Sequence, residues 1–291
     1  MYPARFDYVA PTTLDEALIV LADRGEDAKV LAGGQSLIPL MKLRFAQPGL
    51  LVDINRIAGL DRIDVPNGYL RIGALVRHND IVRSDVVRRT NATVTHAAPW
   101  VSDPIVRNLG TVCGSLAHAD PQGDWASVML ACGADVVARR AGGERVIPMT
   151  ELITDVFTTQ LAPDEIITEV RVPRYAGPGG GTYLKLERKV GDYATVGVAT
   201  HLTLDAAGRI ATAGIALTAV AATNVKALDA ERALVGAEPG PDAFREAGRL
   251  AAAASDPRDD VRGSADYKRH VVDVFVQRGL ATATQIARDA A

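Results

Sequence analysis

The sequence predicts an α+β chain of two domains, and three observations carry that expectation. Up to about residue 172, short apolar strands alternate with helical segments, the βα rhythm of a mixed α/β domain. At Ala176-Gly177-Pro178-Gly179-Gly180-Gly181 the chain meets a run that can continue neither regular structure, the strongest linker candidate in the sequence. Beyond it come three strands and then two helices, which reads as an α+β C-terminal domain built on a three-stranded antiparallel sheet.

Each element has a local reason. Thr13 and Glu16 form a capping box, and Leu14, Ala17, Leu18, Leu21 and Ala22 recur at helical spacing. Lys29-Val30-Leu31 is a short strand that runs straight into Ala32-Gly33-Gly34-Gln35-Ser36. The run 37–43 is helical if Pro39 sits in the first turn. Residues 50–54 and 69–74 are compact apolar strands. A second glycine-rich segment, Gly110-Thr111-Val112-Cys113-Gly114-Ser115, leads towards a helix on which Trp125, Val128, Met129 and Cys132 share one face. Asp124 stands near the start of that helix, where a carboxylate can cap amides or hold a hydroxyl. Residues 134–139 and 166–172 are strands, with Gly142-Gly143 as a hairpin turn. After the linker, 183–189, 195–204 and 209–220 read as antiparallel strands. Helices follow over 242–255 and 266–288, the second turning Tyr267, Val271, Val274 and Phe275 to a core.

Composition narrows the function. At 291 residues, 48% hydrophobic and 23% charged, the chain resembles an ordinary soluble protein with room for two cores. A net charge of −3 with dispersed Lys and Arg gives no reason to expect nucleic acid or an anionic membrane surface. The first dozen residues lack the apolar core of a signal peptide, and no apolar run is long enough to span a bilayer, so a cytoplasmic protein is expected. Cys113 and Cys132 are the only cysteines, and the five histidines are scattered. Zinc and iron–sulfur sites need about four clustered ligands, so neither is expected in this chain.

The two glycine-rich loops remain, with Gly33 and Gly110 lying 77 positions apart. Successive amides without bulky side chains can all point at one phosphate, and two such loops suit a ligand with two phosphates. A dinucleotide fits. It is not held in Rossmann fashion, because Gln35 and Ile38, or Ser36 and Pro39, stand where the second and third glycines should be. Asp53, 20 residues beyond Gly33, is then a strand-end or turn residue. Ser36 and Ser115 lack nucleophile-elbow flanks and read as hydroxyl donors to phosphate. Cys113 is either a small pocket-lining residue or a reactive thiol, and no base is paired with it in sequence.

Long stretches resemble one family: Ala32-Gly-Gly-Gln-Ser-Leu-Ile-Pro-Leu-Met-Lys-Leu-Arg44, Leu51-Val-Asp-Ile-Asn55, Ile72-Gly-Ala74, and Asp103-Pro-Ile-Val-Arg-Asn-Leu-Gly-Thr-Val-Cys-Gly-Ser-Leu-Ala-His-Ala-Asp-Pro121. Lys185, Arg188-Lys-Val-Gly-Asp-Tyr-Ala194 and Asp260-Val-Arg-Gly-Ser-Ala-Asp-Tyr-Lys-Arg269 continue the match. Together they are similar to the FAD-binding medium subunit of the molybdenum hydroxylases, the carbon monoxide dehydrogenase and xanthine dehydrogenase group. The resemblance implies a two-part FAD-binding domain of the vanillyl-alcohol-oxidase (PCMH) type over 1–176, with parts at about 1–58 and 59–176. It implies a C-terminal domain of the carbon monoxide dehydrogenase flavoprotein type over 177–291. It implies non-covalent FAD bound by Ala32, Gly33, Gly34, Gln35, Ser36 and Leu37 in the first loop, and by Gly110, Thr111, Gly114 and Ser115 in the second. Asp124 matches a carboxylate on the adenosine ribose, and Lys185, Asp192 and Tyr193 match a segment beside the flavin ring, where Tyr193 could cover one face. Cys113 departs from the family's T-x-G-G; where that position requires positive φ, a cysteine costs on the order of 1 kcal/mol.

The resemblance further implies an electron-transfer role with no catalytic side chain in this chain. Electrons would pass from [2Fe-2S] clusters in a small partner subunit through FAD to an external acceptor. The molybdopterin cofactor would sit in a large partner subunit, and two such heterotrimers would pair as a dimer. Carbon monoxide is the first substrate expected, with aldehydes and N-heterocycles open, and the acceptor leaves peripheral membrane association open. Two other readings are a free-standing FAD oxidoreductase, with Tyr193 or His78 over the flavin, and a flavin-free scaffold that lost its cofactor through Cys113.

Overall fold

The computed structural model describes residues 2–290. Its first part is a parallel three-stranded sheet in which Leu50–Asp53 lies between Asp7–Val9 and Ala28–Leu31. Helix Leu14–Arg24 covers it, burying Ala17, Leu18 and Leu21. The capping box is formed in both directions: the Thr13 hydroxyl accepts the Glu16 N–H, and the Glu16 carboxylate accepts the Thr13 N–H, each at 3.2 Å.

The second part is a wholly antiparallel sheet in the order Ile63–Asp64, Tyr69–Gly73, Ile166–Pro173, Asp135–Arg140, Gly143–Pro148. Ile166–Pro173 lies between two strands that precede it in sequence, so it joins residues 69–73 to residues 135–140 across the intervening helices. Among those helices, Asp124–Ala131 is buried at all eight residues. The expected single apolar face is therefore not how this helix works. The C-terminal sheet covers its other side.

That sheet has four strands rather than three: Gly179–Leu186, Val196–Leu204, Ile210–Thr218 and the short Val225–Lys226. Helices Leu228–Leu234, Pro241–Ala254 and Ala265–Asp289 complete the domain; the first of them was not expected. All nine residues of Val196–Leu204 are buried, because helix Ala265–Asp289 packs on the sheet and helices Ala92–Ala97 and Asp124–Ala131 of the first domain also reach it.

The glycine run is a loop only as far as Pro178; Gly179, Gly180 and Gly181 open the first strand. A Cβ on Gly180 would lie 1.9 Å from the Ala283 carbonyl oxygen, and one on Gly181 would lie 1.9 Å from Thr93 Oγ1. These glycines let the strand press against the long helix and against the first domain, rather than breaking it. Two hydrophobic cores result. The larger belongs to the first domain and takes in Tyr183, Ala199 and Ala216 from the second; the other fills the space between the C-terminal sheet and its helices. Among the described residues no helix is long and apolar enough to cross a membrane.

Candidate cofactor-binding site

Strand Ala28–Leu31 ends in the first glycine loop, and helix Leu37–Lys42 begins directly after it. Gly34 takes φ +69°, a left-handed turn that only glycine makes cheaply. The backbone N–H groups of residues 33–37 find no hydrogen-bond partner among the described residues. Five successive free amides at a left-handed turn are the makings of an anion cradle. Gln35 does not reach outward: its Nε2 donates to the Gly33 carbonyl at 3.1 Å and so shapes the loop. Ser36 makes no capping bond with its hydroxyl.

The second loop packs directly against the first. A Cβ on Gly33 would fall 2.2 Å from the Leu109 carbonyl oxygen and 2.8 Å from Gly110 Cα. Its own amides are less open than expected. The Gly110 N–H donates to Val106 O at 2.8 Å, the Gly114 N–H to Thr111 Oγ1 at 3.0 Å, and the Ser115 N–H to Thr111 O at 3.0 Å. Thr111 is thus the N-cap of helix Val112–His118, and its hydroxyl proton stays available to an outside acceptor. The first loop is an amide cradle, and the second, which keeps the N–H groups of residues 111–113 without a partner among the described residues, is its wall. Gly33→Ala should drive the wall from the cradle and weaken dinucleotide binding about tenfold or more, read by flavin titration.

Cys113 is buried inside that helix, is absent from the positive-φ residues, and points its Sγ towards Ile72 O at 3.9 Å. The position asks for a small side chain, not for a glycine. Burial pushes the thiol well above its ordinary range, which removes the reactive-thiol reading. Accordingly, Cys113 should stay unmodified by a thiol reagent in the native chain and react only on unfolding. Cys113→Gly should cost about 1 kcal/mol or more through helix propensity and lost packing, seen in denaturant titration.

Asp124 and Lys185 are brought together from opposite domains. Lys185 Nζ donates to Asp124 Oδ2 at 2.9 Å and to Trp100 O at 3.0 Å, and the Tyr183 hydroxyl donates to Asp124 Oδ1 at 2.6 Å. Burial raises the Asp124 carboxyl, with Lys185 and Tyr183 pulling it back. Asp124 and Lys185, which the resemblance assigns to the adenosine ribose and to the flavin ring, stand 2.9 Å apart.

Asp192 is also committed within the chain. Its carboxylate accepts from Arg188 Nε at 3.2 Å, Arg262 Nη2 at 3.2 Å and the Tyr193 N–H at 2.9 Å, while Arg262 Nη1 donates to Tyr193 O at 2.7 Å. It holds the turn that presents Tyr193. Tyr193 is half-exposed, and burial and the Asp120 and Asp124 carboxylates push its phenol up.

Sequence reasoning missed Tyr183, although it stands two residues from Lys185 on one strand and so shares its face. It also left His78 without a structural role. The buried His78 imidazole accepts from Trp125 Nε1 at 3.1 Å, its backbone N–H donates to Gly110 O at 3.0 Å, and its ring lies against Gly110. Burial holds it neutral, with a pKa of about 3. Asp53 proves to be the strand-end residue expected, accepting from the Tyr8 hydroxyl at 2.6 Å and from the Asn55 N–H at 2.9 Å.

Comparisons with known proteins cover nearly the whole chain. Residues 4–175 match the FAD binding domain in molybdopterin dehydrogenase, and residues 181–283 match the CO dehydrogenase flavoprotein C-terminal domain. The chain belongs to the FAD-binding subunits of the molybdenum hydroxylases. It is 39% identical to the 6-hydroxypseudooxynicotine dehydrogenase complex subunit alpha of Paenarthrobacter nicotinovorans, over 99% of this chain and 97% of that protein. It is also 39% identical to the carbon monoxide dehydrogenase medium chain of Hydrogenophaga pseudoflava, over 96% of this chain and 97% of that one. The solved structure of the Hydrogenophaga pseudoflava carbon monoxide dehydrogenase superposes with a TM-score of 0.94 at 40% identity, covering 98% of this chain and 99% of that one. As a member of this family the chain is an FAD-binding oxidoreductase subunit with a two-part flavin domain followed by the flavoprotein C-terminal domain. The free amides of residues 33–37 fit the pyrophosphate of such a cofactor.

Proposed function

We propose that this chain receives electrons from [2Fe-2S] clusters in a small partner subunit and passes them through FAD to an external acceptor. The molybdenum cofactor and substrate pocket then lie in a large partner, and two heterotrimers pair. The observation that carries this reading is the cradle of free amides walled by the second loop, within a chain similar over its whole length to flavin subunits. FAD supplies the redox chemistry when bound. The chain's own residues bind and orient it: residues 33–37 take the pyrophosphate, Thr111 and Ser115 add hydroxyls at the wall, and Asp124, Lys185 and Tyr193 line the remainder of the cofactor.

Carbon monoxide is the substrate we assign to the complex, with the class of 6-hydroxypseudooxynicotine as its competitor. This chain is 39% identical to a subunit from each, so the assay has to decide. The first test is the visible spectrum of the enzyme and of this chain alone. About one FAD per chain, bleached by dithionite, with iron and molybdenum only in the partners, is the expected result. Iron or molybdenum bound to this chain, or reduction of its flavin by a small substrate without partners, would overturn it. Carbon monoxide should then bleach the flavin of the complex; bleaching only by the aromatic compound would reassign the substrate.

A further inference from the structure

Between the two loops lies a bridge of polar side chains that the binding reading does not use. Arg77 follows strand Tyr69–Gly73 by a few residues, and its Nη1 donates to the Leu109 carbonyl of the second loop at 2.7 Å. Its Nη2 donates to Asn55 Oδ1. Asn55 Nδ2 in turn donates to the Ala32 carbonyl of the first loop at 2.8 Å, and to Asp53 Oδ1 at 2.6 Å. Asp53 is steadied by the Tyr8 hydroxyl. One guanidinium and one amide therefore tie the entry of the first loop to the entry of the second. On one side Arg77 and Asn55 line an open cleft of about 490 Å³, together with Arg56, Asp61 and Asp80. That side offers space rather than packed side chains, so hydrogen bonds fix the guanidinium there.

We propose that Arg77 and Asn55 are positioning residues that set the gap between cradle and wall, and so the affinity for the cofactor's pyrophosphate. The proposal rests on the flavin reading above. Neither side chain needs to touch the cofactor. Arg77 suits the task because a rigid fork can reach two carbonyl-type acceptors at once, which a single ammonium does poorly. Asp53 orients Asn55 so that its amide nitrogen faces Ala32 and its oxygen faces Arg77.

The test uses the enzyme as isolated, with any partner subunits in place, stripped of flavin and titrated back. Arg77→Lys and Asn55→Ala should each weaken FAD binding about tenfold. The double variant should be no weaker than the worse single one, because both act through one relay. ADP, which carries the diphosphate with the adenosine but no flavin, should lose affinity by the same factor; riboflavin, which lacks the diphosphate, should not. Unchanged FAD affinity in the single variants, or additive losses in the double, would overturn the proposal. So would an equal loss for riboflavin accompanied by a lowered melting temperature, since that is general loosening. Wild-type enzyme that fails to rebind FAD would instead sink the flavin reading itself, and the brace with it.

Discussion

Replacing Lys185 by methionine is expected to destabilise the chain by about 3–5 kcal/mol, the cost of leaving one buried charge without its partner. The Lys185 side chain is 1% exposed and that of Asp124 7%, so water cannot take over the lost contact. Three interactions go at once: the 2.9 Å bond to Asp124, the 3.0 Å bond to Trp100 O, and the 3.7 Å approach to Glu187. Glu187 Oε2 is buried with no hydrogen-bond partner, so Lys185 is what makes that oxygen tolerable. Burial already raises the Asp124 carboxyl, and loss of the ammonium should raise it further. Denaturant titration of Lys185→Met measures the loss. A second variant, Lys185→Met with Asp124→Asn, removes both charges and should recover much of it. A single-variant cost below about 1 kcal/mol would mean that the pair behaves as a solvated surface bridge.

Acid should unfold this protein in a defined window. Burial lowers His78 to about 3 and His201 to about 4, against an ordinary value near 6.5. The unfolded chain therefore binds protons that the folded chain refuses, and stability falls as pH drops from about 6.5 through those folded values. At about 1.4 kcal/mol per unit, each histidine contributes on the order of 3–5 kcal/mol that is present above pH 6.5 and lost in acid. His201 has a buried Nε2 without a partner, while His78 rests against Gly110 in the wall of the cradle. Melting temperature should thus fall steeply between pH 6.5 and 4, with flavin release accompanying it. His201→Asn should flatten part of that slope. A melting temperature constant across this range would contradict both assignments.

What could be read from the sequence depended on the distance over which each feature is determined. The capping box of Thr13 and Glu16 spans four residues and is formed as expected. The first glycine loop is equally local, and its amides are indeed open. Gly180 and Gly181 were misread, because what makes them necessary is Ala283 and Thr93, far away in sequence. Asp124 and Lys185 were each picked out, but their pairing spans 61 residues and crosses between domains, so their joint position could not be seen. The second loop shows an intermediate case. Its glycines suggested an amide cradle, yet Thr111 captures the Gly114 amide within one helical turn. Small residues there serve close approach, while the N–H groups of residues 111–113 stay open.

The ion pair that joins the domains also limits how this chain can be remade. Its carboxylate comes with residues before the glycine-rich run and its ammonium with residues after it. A hybrid spliced at that run from two ancestors would bury a charge unless both halves kept their side of the match. The run looks like a convenient crossover point for domain shuffling, but the electrostatics make the two halves a single heritable unit.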